Sequence, residues 1–559
     1  MEKELSVEAV NLLRYIVKNC DVFNDYFNAS NICHRKGHVK VDVIKPLLEE
    51  LAKAKALKSS KKIFKSPRYK LVLDKAEEIL REPTTEEQEE VIYTQEYRSA
   101  LEDEIKRYKK FVVTTAVMGK EVNKPFVEAI RNYAKRNNAL LLVLPCEDVA
   151  NRGKKAGSLD LSPDLSDFRV IFKDTYLNNN LCLCAIKVSA KQIKPLSGLE
   201  RMATSRNASI IVASPKVFLK YVPNLHYDIP LAIMTTGAVT ENNYDTDKYM
   251  SKRTSMLAEN DHTYGAVIVE VENDNIFHFR HVQASPYNSI TDLGIDYLPD
   301  GSQRYMEDTA MIMGDSHIGY HDEELHDTVM DLAQDINVKE VILHDIFHGS
   351  SVSHHDVNKG VTNCIKAQEN KIGLELECIA VKNYLKSIVN CGMDVVIVDS
   401  NHDRHLLRFL EEGRYVSDPI NYKFSLKLAL AATENKNPLK YAIEDLLHYS
   451  SDKVRWLEPD EPFKVYGVEC GIHGDIGSNG SRGSLAVYEK SLGNCVTAHS
   501  HSAAIIRKAF CVGTVGLMDM KYNRGLSSWT RTCCLIYNNG SKQLINFIPN
   551  KKGNYSCRI

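Results

Sequence analysis

Long apolar runs are missing from this sequence. No window approaches the roughly 18 consecutive apolar residues that a membrane-spanning helix needs. Residues 1–10 are charged and lack the apolar core of a secretory signal. A soluble, cytoplasmic protein with no membrane segment is therefore expected. An excess of charge of one sign is missing too: 71 Lys and Arg stand against 73 Asp and Glu, a formal net charge of −2. There is no bulk basic field, so any nucleic-acid contact has to come from a local patch or a bound metal. The chain also lacks internal repeats, long low-complexity tracts, a P-loop lysine and a dinucleotide-binding glycine pattern. Its 14 cysteines show no zinc-ribbon spacing, since Cys182-x-Cys184 and Cys533-Cys534 are too close together. Cys182, Cys184, Cys495 and Cys511 lie in apolar runs, where buried free thiols in a reducing compartment are the simplest reading.

What is present fills an α/β multidomain protein. A length of 559 residues, 43% hydrophobic and 26% charged, allows two to four ordinary globular domains. In residues 1–75, Val7, Val10, Leu13 and Val17 recur at helical spacing, as do Ile44, Leu47, Leu48 and Leu51. Ile63-Phe64 and Tyr69–Leu73 then read as strands around Lys65–Arg68. This order resembles a winged-helix module. Lys53, Lys55, Lys58, Lys61, Lys62, Lys65, Arg68 and Lys70 surround its wing. Lys61, Lys62, Lys65 and Arg68 are candidate DNA-phosphate contacts, the alternative being a solvated charged surface. Residues 76–108, rich in Glu, read as a charged helical linker.

Residues 109–300 alternate strand-like runs (111–115, 139–144, 168–172, 181–188, 208–213, 231–234, 266–271, 276–282) with a helical pattern at 124–136. An α/β domain with a partly parallel sheet is expected. Its role stays open between substrate positioning and subunit contact. Thr235-Thr236-Gly237 could offer backbone amides to an anion, but an ordinary loop is favoured.

Residues 301–559 carry the chemistry. An apolar run ends at Gly314-Asp315-Ser316-His317. Further strand-like runs end at His344-Asp345, Ser400-Asn401-His402-Asp403, His473-Gly474-Asp475 and His499-Ser500-His501. One Asp-x-His pair means little. Five such groups at five strand ends are far harder to obtain by chance.

In order and rough spacing these motifs resemble the calcineurin-like metallophosphoesterase superfamily, over about 250 residues of the chain. The resemblance implies a two-sheet β-sandwich flanked by helices, with a dinuclear metal site at the strand C-termini. Two divalent ions ~3.5–4 Å apart need a bridging anion, and Asp345 is the expected bridge. Asp315, His317 and His501 would complete one metal; Asn401, His473 and His499 would complete the other. Mixed oxygen and nitrogen ligands suit Mn²⁺, Fe²⁺ or Zn²⁺ more than Mg²⁺, and the family's habits favour Mn²⁺. By resemblance His402 is the catalytic histidine, while Asp403 closes the motif and orients the turn. The chain departs from the pattern at His344 and Ser400, where glycines are usual, which bears on loop shape more than on metal binding. His348, His354, His355, Arg404 and Arg482 lie near the ligands in sequence, and the two arginines are candidate DNA contacts.

The tripartite layout, with residues 311–320 and 400–405, also resembles the early host-DNA-degrading DNases of T-odd, T-five-like coliphages. That likeness implies a metal-dependent DNase in the infected bacterial cytoplasm, a homo-oligomer, with a second phage early protein as a candidate partner. Two alternatives stand beside it. One is a phosphatase or phosphodiesterase acting on a small molecule or a phosphoprotein. The other is a DNA-binding regulator with a vestigial catalytic domain, against which the complete ligand set argues.

Overall fold

The computed structural model describes residues 6–19, 27, 29–30, 32, 41–60, 68–72, 76, 96–147, 161–186, 188–225, 229–244, 252–520, 523–550 and 553–559. It divides into two compact units, Met1–Asp103 and Glu104–Ile559.

In the smaller unit the Ser6 hydroxyl accepts the Ala9 N–H at 3.3 Å and caps the helix Val7–Lys18. Leu12, Leu13 and Ile16 of this helix pack with Ile44, Leu48 and Leu51 of the helix Val41–Lys53. The hairpin pairs Leu57–Ser60 with Arg68–Leu71, Leu57 opposite Leu71. Its first strand thus precedes the expected Ile63-Phe64, because buried Leu57 belongs to the core that the helices and Tyr69 form. Ile63, Phe64, Lys61, Lys62 and Lys65 lie outside the described residues, as do residues 77–95 of the expected linker; Arg68 opens the second strand. Residues 96–105 are helical.

The larger unit is a mixed α/β structure built on several sheets. Lys110–Val117 and Ala139–Cys146 run parallel and are joined by the helix Lys124–Asn137, which Asn123 caps through the Phe126 N–H. With Gly265–Val271, Phe277–Gln283 and Arg169–Val170 they make a five-stranded sheet. The loop at Thr235–Gly237 is not open to an anion. The Thr236 hydroxyl sits 2.7 Å from that of buried Thr115, and Gly237 lies close against the Gly265 backbone.

The ligand motifs hang from two other sheets. In a six-stranded sheet, Thr309–Ile312, Val338–Leu343, Asp394–Ile397 and Val454–Trp456 are parallel neighbours; Thr532–Tyr537 and Lys542–Asn546 add an antiparallel edge. Met311, Val341, Leu343 and Val395 are buried on this sheet in one core with Leu325 and Val329 of the helix Glu323–Asp335 and Val381 and Leu385 of the helix Leu374–Asn390. The other sheet has ten strands. One end holds Lys464–Val465, Val468–Glu469, Cys495–Thr497, Ala509–Cys511 and Ala504–Ile506. The rest come from the central segment: Phe218–Val222, Leu231–Thr235, Ser209–Val212, Leu181–Cys184 and Thr175–Asn178. The join is antiparallel, Ile505 opposite Leu219 and Ile506 opposite Phe218. The boundary drawn at residue 300 from the sequence is therefore not a boundary of this sheet, which draws strands from both sides of it.

Candidate metal centre

Three of the four parallel strands of the six-stranded sheet deliver their next residues to one place. Asp315 and His317 follow Thr309–Ile312, Asp345 follows Val338–Leu343, and Asn401 follows Asp394–Ile397. The ten-stranded sheet delivers His473 beyond Val468–Glu469, and His499 and His501 beyond Cys495–Thr497. Backbone bonds stitch these ends together. The His317 N–H donates to the Asp345 carbonyl at 2.7 Å, Ala498 to His473 at 2.7 Å and Asp315 to Gly513 at 3.2 Å. The last contact is close enough that a Cβ at Gly314 would lie 2.7 Å from the Gly513 carbonyl, so only glycine fits there.

Four of the seven expected ligands hold left-handed backbone that L side chains rarely adopt: φ is 47° at His317, 44° at Asp345, 68° at His499 and 55° at His501. Such conformations cost ~1–3 kcal/mol each and persist where surrounding structure fixes them, typically at functional sites.

The side chains converge. His317 Nε2 and His501 Nε2 are 3.0 Å apart, and His501 Nε2 is 2.9 Å from Asp315 Oδ2. Asp345 Oδ2 lies 3.9 Å from His317 Nε2 and 3.5 Å from His473 Nε2, so one carboxylate reaches both halves of the group. On the far side Asn401 Oδ1 is 2.7 Å from His473 Nε2 and 3.0 Å from His499 Nδ1. Asp315, His317, Asp345 and His501 are all buried, with ligand atoms within 4.8 Å of one another.

This donor set fits a divalent cation. Two nitrogens on one ion at ~2.1 Å and at right angles stand about 3 Å apart, the spacing seen between His317 and His501. Both carboxylate oxygens of Asp315 are buried without a hydrogen-bond partner, as are Nδ1 of His317, His473 and His501. A buried carboxylate left so poorly paired is costly unless a cation meets it. Burial pushes the Asp315 carboxyl up to about 7 and Asp345 up to about 6. Burial also lowers His501 to about 4 and holds His317 and His473 far below the ordinary imidazole range. The imidazoles are thus in the neutral form that ligates metal, and a bound cation would reverse the penalty on the carboxylates.

His402 lies beside this group, its ring 4.5 Å from that of His317. Its backbone N–H donates to Asp345 Oδ1 at 3.1 Å, and its Nδ1–H donates to the His348 carbonyl at 2.8 Å. Asp403 accepts the Phe347 N–H at 2.9 Å, which ties the Asn401 loop to the Asp345 loop. Arg404 does not point free to a substrate: its guanidinium bridges Asp399 and Asp475. Arg482 is exposed on a loop bridged to Ile476. His344 is fully buried, both ring nitrogens without a partner and 5.5 Å from the ring of His473; burial lowers it to about 3, so it packs as a neutral ring. Two aromatics that sequence reasoning missed complete the walls. Tyr320 stacks on His348 at 4.2 Å, and Trp529 meets His501 edge-on at 4.2 Å. Tyr320 follows His317 by three residues, but neither has a spacing signal of its own.

These features define a mixed α/β, multi-sheet protein with buried Asp–His clusters able to bind a metal ion. No helix among the described residues is long and apolar enough to cross a membrane. Protein A1 of Escherichia phage T5 is 29% identical to the chain over 470 residues, 79% of this chain and 83% of that protein. The similarity relates the chain to T5-like bacteriophages. No protein-family profile and no solved structure matches it.

Proposed function

We propose that this protein is a two-metal-dependent DNase that hydrolyses DNA phosphodiester bonds and degrades host DNA in the cytoplasm of the infected cell. One observation carries the reading: five loops from two sheets bring buried Asp315, His317, Asp345, His473 and His501 and half-buried Asn401 and His499 to a single place, with Asp345 Oδ2 between the halves. Parallel strands with flanking helices on one sheet, and a second sheet supplying three histidines, agree with the metallophosphoesterase resemblance. The relationship to a T5 phage protein favours the phage setting. The lysine-rich sequence between residues 53 and 70 favours a polyanionic substrate.

Asp315, His317 and His501 would hold one divalent cation, Asn401, His473 and His499 another, and Asp345 both. Mn²⁺ is the first choice, with Fe²⁺, Zn²⁺ and Mg²⁺ as alternatives. Such ions supply Lewis acidity to phosphoryl oxygens and a lowered pKa for water. The protein's own share falls to His402. A carbonyl can only accept, so the His348 carbonyl fixes the proton on Nδ1 and leaves Nε2 as the exchangeable position. From there His402 stabilises charge on the phosphoryl group or hands a proton to the leaving oxygen. Asp403, through the Phe347 amide, holds the loop that aims it.

Purified protein with Mn²⁺ should degrade duplex or single-stranded DNA, and EDTA should abolish the activity. Cleavage of p-nitrophenyl esters alone would instead mark a small-molecule phosphatase or phosphodiesterase. DNA retention without turnover would mark a binding protein.

A further inference from the structure

A cavity of about 300 Å³ opens where three sheets meet. Ser209 and Tyr221 line it from the ten-stranded sheet, Asn546 from the six-stranded sheet, Phe277 and Phe279 from the five-stranded sheet, and Pro230 from a loop. Among the described residues the lining contains no Lys, Arg, Asp or Glu. A phosphate has no counter-charge there, so an occupant of this space is neutral. The rings of Phe277 and Phe279 are stacked, 6.1 Å apart with 28° between planes, and make an apolar wall.

Asn546 is one of several neutral polar groups in the lining, with Ser209, His278 and three further asparagines. It is 7% exposed, and its Oδ1 accepts from both the Tyr221 and Thr532 hydroxyls at 2.8 Å. Those two bonds saturate the oxygen and fix the amide. Nδ2 is left buried with no partner, although it carries two donors. An unmet buried donor is costly, and its pairing with a ligand acceptor would remove the penalty.

The cavity also adjoins a residue that walls the metal centre. A narrow pocket of about 20 Å³ shares Tyr221, Pro230 and Asn546 with it and is bounded on its other side by Trp529 and Arg531. Trp529 is the residue whose ring meets His501 at 4.2 Å. Arg531 lies over the Tyr555 ring, and its Nε is buried without a hydrogen-bond partner. An indole that touches a metal ligand and a guanidinium therefore line the same small pocket as Tyr221, Pro230 and Asn546.

We propose that this chamber is a nucleobase subsite, which takes an unstacked base of the strand being cut. The proposal rests on the DNase reading above and adds a base-binding site to it. Aromatic walls accept any base face, and an amide with free donors pairs with ring nitrogens or carbonyls on base edges. Arg531 would meet the connecting phosphate.

Calorimetry on the full chain with Mn²⁺ tests this, using the four deoxynucleosides and base-free deoxyribose 5-phosphate as probes. Deoxynucleosides should bind and the base-free sugar should not. Phe277→Ala and Asn546→Leu should each weaken binding by about tenfold and raise KM for DNA while leaving kcat in place. Deoxynucleoside binding without any DNA hydrolysis would keep the subsite, as one for free nucleosides, and remove the DNase reading. DNA hydrolysis without deoxynucleoside binding, or equal binding of the base-free sugar, would overturn the subsite. The wild-type titration decides the matter even if a variant fails to fold.

Discussion

On the proposed reading His402 and Asp345 have separate roles, which mutation can distinguish. Asp345 reaches both halves of the ligand group, within 3.9 Å of His317 and 3.5 Å of His473. Asp345→Ala should abolish both metal content, measured by atomic emission, and DNA hydrolysis. His402 touches Asp345 only through its backbone N–H. His402→Ala should keep the metals and lower kcat by ~10²–10⁴; a near-normal rate would remove its assigned role. The pH dependence of metal binding follows from the burial of the carboxyls. With the metal absent, Asp315 keeps its proton up to about 7 and Asp345 up to about 6. Below those values a cation has to displace protons, and above them it does not, while His501 is already neutral above about 4. Mn²⁺ affinity should therefore rise from pH 5 to 7.5 and then level off, with proton release detectable by calorimetry in buffers of different ionisation enthalpy. All seven residues that meet at the centre were legible in the sequence, because side chains of ligand chemistry stand where apolar runs stop. The left-handed backbone at His317, Asp345, His499 and His501 was not, since no local propensity asks for it there. The walls formed by Tyr320 and Trp529 were not legible either, because they are set by loop packing.

At the scale of elements, the strand ends are held at a separation that glycine alone allows. A Cβ on Gly513 would stand 2.0 Å from the Thr530 carbonyl oxygen, and the Gly513 carbonyl accepts the Asp315 N–H. Gly513→Ala should cost about 2–3 kcal/mol in denaturant unfolding and weaken metal binding in parallel, because it pushes the Asp315 loop from its partner. Unchanged stability would show that the loops tolerate more room than the structure gives them. Sequence periodicity placed most strands of residues 109–300 to within a few residues, as at Leu231–Thr235 and Gly265–Val271. It did not place their partners. Ile505 pairs with Leu219, which lies 286 residues earlier in the chain, and alternation along a strand says which face is buried without saying beside what. The boundary drawn at residue 300 failed to describe the ten-stranded sheet for that reason. Phe218–Val222, which makes the join, stood out less in the sequence because half-buried Lys220 and Tyr221 interrupt its apolar run.

For the molecule as a whole, near-neutral net charge means that the DNA binding proposed here has to rest on local features. Changing Lys61, Lys62 and Lys65 together to Ala should weaken DNA affinity. It should also flatten the slope of log K against log salt, by roughly one for each phosphate that a lysine no longer neutralises. An unchanged slope would take the basic wing out of the account. The similarity to a T5 phage protein extends over 79% of the chain. The central claim is that seven side chains, carried on five loops, hold two divalent ions with Asp345 between them. Anomalous diffraction from crystals grown with Mn²⁺ tests it most directly. Two peaks are expected, one among Asp315, His317 and His501, the other among Asn401, His473 and His499, both within bonding distance of the Asp345 carboxylate. A single peak, or none, at saturating Mn²⁺ would contradict it.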